Sequence, residues 1–477
     1  MESAKITLTL DASVIEALYK AIKDSYMKQQ HHGLSRVEKA LQAASDTKAL
    51  LIGSGIIAEA GRLFGEQFPG QTAVVVADAT TFEVAGRQVQ QVLQAAGIAQ
   101  LPPFVFTDPG LYARYDYIDR LTDFLKGNNA IPVAVGSGTI NDLTKLSAHL
   151  AGRRYMTVAT AASMDGYTAF GASITKDGAK QTFSCPAPQA VLADIDIIRH
   201  APAQMTAAGY ADLFAKVTAG ADWILADWMG IEPIDNQAWS IVQDGLKDAL
   251  SDPEGARCGH SGAIEQLIEG LMLGGFAMQW AKSSRPASGA EHQFSHLWNM
   301  EHHLNHGQTV SHGFQVSIGM LAVTAFYEQV LNTSFEDLDV EACCDRWPAA
   351  EDIEVRAREM FKGTDFPNIG VVETRAKAVT RQQLAAQLQQ LKDYWPQIRQ
   401  RLTDQLLPYK EVKHRLQLVG APTEPEEIGI TRQRLRDSFV RAQYIRRRFT
   451  VLDLAVRTGY MNRWLDALFG KGGIWEI

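Results

Sequence analysis

The segment IPVAVGSGTIND, residues 131–142, decides the fold, because it places a strand, a glycine turn and the start of a helix in direct succession. Its first five residues are apolar and rich in β-branched side chains, as is typical of a buried strand. The turn Gly136-Ser137-Gly138 lets the backbone approach a pyrophosphate closely, and the amides at the helix start then face the phosphate oxygens. The turn is an incomplete GxGxxG pattern, and turns of this kind also occur with a purely structural role.

Five further apolar runs of strand length flank this segment and alternate with helical segments. Their continuous hydrophobicity predicts a parallel sheet covered on both faces, and ligands bind at the carboxyl ends of such strands. These runs are Ala49–Ile52, Ala73–Ala77, Phe104–Phe106, Met156–Val158 and Ala190–Asp194.

The pattern changes from alternating to helical near residue 200. Before that point, residues 171–185 predict a hairpin around the turn Asp177-Gly178. We therefore predict three parts: an N-terminal extension (1–45), a dinucleotide-binding α/β domain (46–198), and an all-α domain that binds metal and substrate (199–477).

Composition narrows the class of protein. The 477 residues are 46% hydrophobic and 21% charged, which is ordinary for a soluble globular protein. A net charge of −8 disfavours binding to nucleic acid or to an anionic membrane surface. The four cysteines show no CxxC spacing, the N-terminus lacks signal-peptide character, and no apolar run has the length of a membrane span. These features favour a reduced, cytoplasmic compartment.

Histidines and one aspartate predict a metal site. The stretch SGAEHQFSH, residues 288–296, sets His292 and His296 four residues apart, so both imidazoles project from one face of a helix. His312 follows, and Asp212 is expected at the start of another helix. One carboxylate and two imidazoles make a three-ligand divalent-metal site with an open position. The alternatives are surface or core histidines, and the rival ligands are His302, His303 and His306.

Two further features carry open alternatives. Asp78, at the end of an earlier strand, is suited to accept hydrogen bonds from the adenosine ribose and to favour NAD over NADP, or else to cap the next helix. The arginine-rich stretch Arg432–Arg448 is typical of a solvated helix face. It also leaves a non-enzymatic alternative, a catalytically silent nucleotide- or DNA-binding protein.

Four segments, in the family's order, resemble the sn-glycerol-1-phosphate dehydrogenases of the glycerol dehydrogenase and iron-containing alcohol dehydrogenase superfamily, with the bacterial branch nearest. The resemblance covers roughly residues 45–335. It departs at Ala169, where the family usually has a cofactor-contacting serine, and at Ser137, where archaeal members have a third glycine. The segments are GSGTIND (136–142), TAASMDGY (160–167), AAGYADL (207–213) with ADW (221–223), and SRPASGAEHQFSH (284–296).

The resemblance implies a fold and a site. The fold is an α/β N-terminal domain with a parallel, Rossmann-like sheet and an all-α C-terminal domain, as in dehydroquinate synthase-like and iron-alcohol-dehydrogenase proteins. A zinc or nickel ion is implied at Asp212, His292 and His312, with His312 preferred to His306 because bacterial members have a longer gap between their ligand histidines. The cofactor, NAD or NADP, is implied at Asp78 and at Gly136, Ser137, Gly138, Thr139, Ile140, Thr160, Ala161, Ala162 and Ser163.

The implied activity is hydride transfer between dihydroxyacetone phosphate and sn-glycerol 1-phosphate, in a homodimeric enzyme of lipid synthesis. Asp165 and His296 would be catalytic and, with Asp212, would contact the substrate. Arg285 is the candidate phosphate contact, since guanidinium matches phosphate geometry. The enzymatic alternative is a dehydrogenase for glycerol or another unphosphorylated alcohol.

Overall fold

A computed structural model of the chain describes residues 35–176 and 179–477. Its central feature is a six-stranded, wholly parallel sheet in the order β1-β8-β5-β4-β2-β3. All six predicted runs form strands of this sheet, which confirms that prediction. The strands are β1 Ala49–Gly53, β2 Ala73–Asp78, β3 Phe104–Phe106, β4 Ile131–Gly136, β5 Met156–Ala159 and β8 Ala190–Asp194.

The predicted hairpin is present beside the sheet. Strands β6 (Ala172–Lys176) and β7 (Ala179–Phe183) pair antiparallel, while the turn residues 177–178 lie outside the described residues. A second, two-residue hairpin pairs β9 (Leu304–Asn305) with β10 (Gln308–Thr309).

The central sheet is buried on both faces because successive side chains point in opposite directions. Val75 and Val133 pack into one core, while Val74 and Ala134 pack into another. Helices cover both cores, as predicted for continuously apolar strands. The helices of this half are α1 Arg36–Ala43, α2 Ala60–Gln67, α3 Ala79–Thr81, α4 Arg87–Ala95, α5 Tyr115–Lys126 and α6 Gly138–Leu150, with a 3₁₀ turn at Ile56–Glu59 and a π-helical turn at Phe82–Gly86.

Nearly all of the chain after β8 is helical. A single large hydrophobic core joins these helices, and it also takes in side chains from the loop after β5. The longer helices are α8 Ala203–Phe214, α9 Lys216–Trp228, α13 Ser261–Ala281, α14 Ala290–Met300 and α15 His312–Leu331, then α17 Ala350–Met360, α19 Arg381–Asp393, α20 Trp395–Gln405, α21 Tyr409–Val419, α22 Arg432–Ala442, α23 Val451–Thr458 and α24 Met461–Phe469. The shorter ones are α7 Ile195–Ile198, α10 Asn236–Gln243, α11 Leu246–Ala249, α12 Pro253–Arg257, α16 Val340–Arg346 and α18 Ile369–Ala376, with 3₁₀ turns at Arg285–Ala287 and Pro425–Ile428.

Helix α15 is the one helix among the described residues with the length and hydropathy of a membrane span. Within the protein, 78% of that apolar window is buried, as in the core helix of a globular fold.

The predicted N-terminal extension is described only from Ser35. The Ser35 hydroxyl caps α1 by accepting a hydrogen bond from the Glu38 amide, and the Glu38 carboxylate accepts one from the Ser35 amide. Helix α1 packs against α13. Residues 1–34, where a short strand is expected, lie outside the described residues.

Candidate functional site

The sheet reverses its direction of growth between β2 and β4. The helices that follow β2 pack on one face, and the helix that follows β4 packs on the other, so the two connections diverge at the carboxyl edge. A crevice of this kind is where open α/β sheets bind their ligands. Asp78 ends β2 and Gly136 ends β4, so the two predicted cofactor contacts flank this crevice.

The glycine turn leads directly into α6. Ser137 stands at the N-cap position but makes no side-chain capping bond, which leaves the amides of the first turn available to an anion. The amide of Thr160 donates to the Gly136 carbonyl (3.1 Å), which holds the loop after β5 against the turn. The structure therefore brings together both predicted cofactor segments, Gly136–Ile140 and Thr160–Ser163.

Asp78 caps the helix that follows β2, which was the alternative role predicted for it. Its Oδ1 accepts from the amides of Thr80 and Thr81, both at 2.9 Å. Asp78 is also the last residue of β2, at the edge of the crevice.

Three predicted metal ligands converge from three helices. One ligand atom from each of Asp212, His292 and His312 lies within 4.8 Å of the others, and His292 Nε2 is 3.5 Å from Asp212 Oδ1. Asp212 and His292 are buried, and His312 is partly accessible. One carboxylate oxygen and two imidazole nitrogens in an enclosed cluster fit a divalent metal ion with an open coordination position.

The charges of the cluster favour a cation. Burial acts to raise the pKa of Asp212, but Lys216 and the two histidines outweigh it and hold that pKa well below its ordinary value. Burial acts to lower the pKa of His292, yet the Asp212 and Glu291 carboxylates raise it overall. Asp212 is therefore held ionised, and the two carboxylates beside His292 attract a bound cation as they attract a proton.

Two glycines allow the helices to approach closely enough to form the cluster. A Cβ on Gly313, next to His312, would lie 2.0 Å from the Ala208 carbonyl oxygen of α8. A Cβ on Gly209 would lie 2.0 Å from the Ala162 carbonyl oxygen, in the predicted cofactor loop. A side chain at either position would push α8 away from the groups that it must meet.

Asp212 differs in position from the expectation. It lies in the last turn of α8, not at the start of a helix, because α8 begins earlier, just after Pro202. The run AQMTAAGYADLF is rich in strong helix formers, which explains the early start.

The rival histidines lie elsewhere. His302 pairs with Asp365, and His303 is buried against the Ile428 carbonyl and Arg434. His306 is exposed in the turn of the β9–β10 hairpin, with φ +50°.

Two side chains that the sequence did not single out orient the histidines. Glu291 Oε1 lies 2.8 Å from His292 Nδ1, so Nε2 faces Asp212. Ser295 Oγ lies 3.1 Å from His312 Nδ1 and donates to Gln315 Oε1 (3.3 Å). A carboxylate or hydroxyl behind a ligating imidazole fixes its tautomer and direction. The role of Glu291 and Ser295 is visible only in their contacts with the imidazole nitrogens, because glutamate and serine near a histidine in sequence are common.

Replacing Glu291 by glutamine should weaken metal binding about 10- to 100-fold, because the neutral amide is a poorer acceptor for His292 Nδ1–H. Titration of the metal-free protein with zinc against a competing chelator measures this. Glu301→Gln, at the end of the same helix but paired with Arg434 and Arg441, is the matched control and should bind zinc normally. Equal affinities in the two variants would contradict the orienting role.

A buried lysine, also missed by the sequence interpretation, joins Asp165 to the cluster. Lys216 Nζ lies 2.6 Å from Asp165 Oδ2 and 3.0 Å from Asp212 Oδ1. The Asp165 amide donates to Asp212 Oδ2 (3.1 Å). Burial, then the nearby Asp212 charge, raises the pKa of Asp165. These contacts tie the loop after β5 directly to the predicted metal ligands.

Arg285, the candidate phosphate contact, is bound to other parts of the protein. It is 2% exposed, and its guanidinium donates to the backbone carbonyls of Phe449 and Asp222 (both 3.1 Å). Its Nε lies 3.2 Å from a Glu232 carboxylate oxygen without forming a hydrogen bond. These contacts anchor the chain near residue 449.

The carboxylate of Asp222 joins the same region to α14. It accepts from the Ala290 amide (2.7 Å), the Val451 amide (2.8 Å) and the Tyr327 hydroxyl (2.6 Å). Burial, followed by the charge of Glu291, raises the pKa of Asp222 to about 7.

His296 lies on the same side of α14 as His292. Its ring centroid is 6.4 Å from that of His292 and 6.2 Å from that of His312. It therefore borders the metal cluster without belonging to it.

Comparisons with known proteins identify the family of the chain. Residues 51–202 match the family model for iron-containing alcohol dehydrogenases. The glycerol-1-phosphate dehydrogenase (NAD(P)+) of Halalkalibacterium halodurans is 34% identical over 56% of this chain and 67% of its own length. The enzyme of the same name from Geobacillus thermodenitrificans is 29% identical over 80% of this chain and 85% of its own length.

The fold is also that of solved dehydrogenases. The NADH-dependent butanol dehydrogenase A of Thermotoga maritima superposes with a TM-score of 0.55 at 13% identity, covering 89% of this chain and 96% of that one. This comparison confirms the predicted α/β and all-α architecture. On the evidence of its relatives, the chain belongs to the glycerol-1-phosphate dehydrogenase family, within the iron-containing alcohol dehydrogenases.

Proposed function

We propose that this protein is a metal-dependent, NAD(P)-linked dehydrogenase that interconverts dihydroxyacetone phosphate and sn-glycerol 1-phosphate. The observation that carries the proposal is the Asp212–His292–His312 cluster, hydrogen-bonded through Asp165 to the loop beside the glycine turn. Hydride transfer needs a nicotinamide and a polarised carbonyl side by side, and this arrangement supplies a place for each.

In the proposed reaction, hydride passes from nicotinamide C4 to C2 of the ketone, and a proton passes to the C2 oxygen. A divalent ion, when bound, supplies Lewis acidity to that oxygen. The chain's own groups place the reactants: Gly136–Ile140 and Thr160–Ser163 hold the cofactor, and Asp165 with Lys216 borders the substrate. His296 orients the substrate or relays the proton, since it is adjacent to the cluster but not part of it.

Several finer assignments belong to the same proposal. Zinc or nickel suits the carboxylate and imidazole donors. A cytoplasmic location fits the four cysteines, which are all free thiols. The resemblance to bacterial family members supports a homodimer.

The test is NADH oxidation with dihydroxyacetone phosphate, run beside unphosphorylated dihydroxyacetone. Each assay is repeated after chelation and after readdition of zinc or nickel. We expect metal-dependent turnover of the phosphorylated ketone and formation of the sn-1 product. Turnover of dihydroxyacetone alone would instead indicate a polyol dehydrogenase, and no turnover with any metal would refute a dehydrogenase.

Asp78 should set the cofactor preference. Asp78→Asn keeps an N-cap acceptor but removes the charge that repels a 2′-phosphate. We expect the ratio of kcat/KM for NADPH to that for NADH to rise about tenfold, or about 1.4 kcal/mol. Asp108→Asn, a half-buried acid after β3 that pairs with Arg120, is the control. An unchanged ratio would restrict Asp78 to its capping role.

A further inference from the structure

The arginine-rich stretch is not a uniformly solvated face, so that expectation is wrong for part of it. Five of its seven arginines form ion pairs with carboxylates on neighbouring elements of the same chain. These pairs are Arg432–Glu426, Arg434–Glu301, Arg436–Asp466, Arg441–Glu301 and Arg447–Glu373. Internal pairing of this kind does not suit a DNA-binding surface.

Arg446 and Arg448 are different. Within residues 35–176 and 179–477, no ion pair within 4 Å joins either guanidinium to a carboxylate. Both side chains are half-buried as a whole, and their guanidinium ends are enclosed by protein. Both lie on residues 443–450, the connection between α22 and α23, which we call the arginine loop.

The two guanidinium groups converge on Ser284, which lies shortly before α14. Arg448 Nη2 donates to Ser284 Oγ (2.9 Å), and Arg446 Nη1 donates to the same oxygen (3.4 Å). Arg448 also donates to the carbonyls of Ser284 and Ser288. Arg446 Nη2 donates to His296 Nε2 (2.9 Å).

The electrostatics of this pair call for an anion. Burial lowers the pKa of both arginines, and mutual repulsion with Arg446 and then Arg285 contributes to lowering that of Arg448, to about 9. Adjacent enclosed cations without a carboxylate destabilise the protein unless a bound anion neutralises them. Guanidinium forks match the oxygens of a phosphate in geometry as well as in charge.

We propose that Arg446 and Arg448, with the hydroxyl of Ser284, bind the phosphate group of the substrate. This inference rests on the proposed function and names the residues that separate a phosphorylated ketone from an unphosphorylated one. Arg446 contacts His296, whose ring borders the rings of His292 and His312. The arginine pair is thus one side chain away from the predicted metal ligands, as a short, three-carbon phosphate ester requires.

The neighbouring arginines do not share this role. Arg447 pairs with the Glu373 carboxylate and Arg285 with the Glu232 carboxylate, so each of these two arginines already faces an anion of the protein. Arg285 instead anchors the arginine loop by donating to the carbonyl of Phe449, the residue directly after Arg448.

The test compares Arg446→Gln and Arg448→Gln with Arg447→Gln in the metal-loaded enzyme. For the first two variants we expect KM for dihydroxyacetone phosphate to rise about 10- to 100-fold, because each loses one charged hydrogen-bonding partner of the phosphate. Arg448→Gln, whose side chain contacts Ser284 and Ser288 but not His296, should change the rate with unphosphorylated dihydroxyacetone less than about twofold, and Arg447→Gln should behave as wild type. An equal loss with both ketones would overturn the proposal, because it would indicate general damage to the site.

A binding measurement separates this inference from the proposed activity. Inorganic phosphate should raise the melting temperature of the wild-type, metal-loaded protein and of Arg447→Gln, but not of Arg446→Gln or Arg448→Gln. That result would support the arginine pair even if dihydroxyacetone phosphate were not turned over. Equal stabilisation of all four proteins would overturn it.

Should a glutamine variant fail to fold, Arg446→Lys and Arg448→Lys keep the charge but lose the fork. We expect these variants to give a smaller rise in KM, about tenfold, with weakened stabilisation by phosphate. Wild-type behaviour of both lysine variants would contradict bidentate binding by the arginines.

Discussion

Replacing His292 by alanine is expected to remove the metal ion and the activity together. The imidazole is one of three ligands, and Glu291 behind it already holds it toward Asp212. Loss of the ion removes the stabilisation of the oxygen at C2. We therefore expect kcat/KM to fall at least about 1000-fold, which corresponds to about 4 kcal/mol of transition-state stabilisation.

Metal analysis of the purified variant, together with NADH oxidation, checks this expectation. His414→Ala is the matched control, since His414 is exposed on α21 and should tolerate the change with full metal content and full rate. A His292→Ala protein that retains one ion per chain and normal turnover would refute the site.

The second large effect concerns Lys216. In the metal-free protein its ammonium group lies between two carboxylates, and its side chain is wholly buried. Lys216→Met keeps most of the packing volume but leaves Asp165 and Asp212 facing each other without a cation. Breaking a buried ion pair in this way costs about 3–5 kcal/mol, so the free energy of unfolding should fall by that amount.

Urea unfolding of the chelated protein at pH 7 measures the loss. Lys410→Met, at an exposed position of α21, should change stability by less than about 0.5 kcal/mol. Adding Asp165→Asn to Lys216→Met should recover part of the loss, because it removes one of the two unpaired charges. A Lys216→Met protein as stable as the lysine control would mean that the pair contributes nothing to folding.

The sheet was predictable because its signal is local. Each strand is a short apolar run, and five of the six end in a small or acidic residue. Burial on both faces leaves that hydrophobicity uninterrupted. The spacing of His292 and His296 is likewise a local property of one helix. Asp212 shows where local patterns fail, since its place at the end of α8 depends on where the helix begins.

The remaining parts of the site depend on contacts between distant segments. Arg446 and His296 are 150 residues apart, and Arg448 and Ser284 are 164 apart, so no spacing rule joins them. Arg285 lies next to the histidine helix in sequence, which made it the natural candidate for phosphate. The structure gives it backbone partners instead. Lys216 could be recognised only after Asp165 was found beside Asp212.

The arginine loop has firm attachments at its C-terminal end. Arg285 holds the Phe449 carbonyl, and Asp222 holds the Val451 amide together with the amide that begins α14. None of these anchors is a predicted metal ligand, and the loop itself contains none. The proposed phosphate contacts and the predicted metal ligands therefore lie on separate stretches of the chain, which meet at the contact between Arg446 and His296. We expect natural variation confined to residues 446–448 to change which alcohols bind while leaving the metal ligands in place.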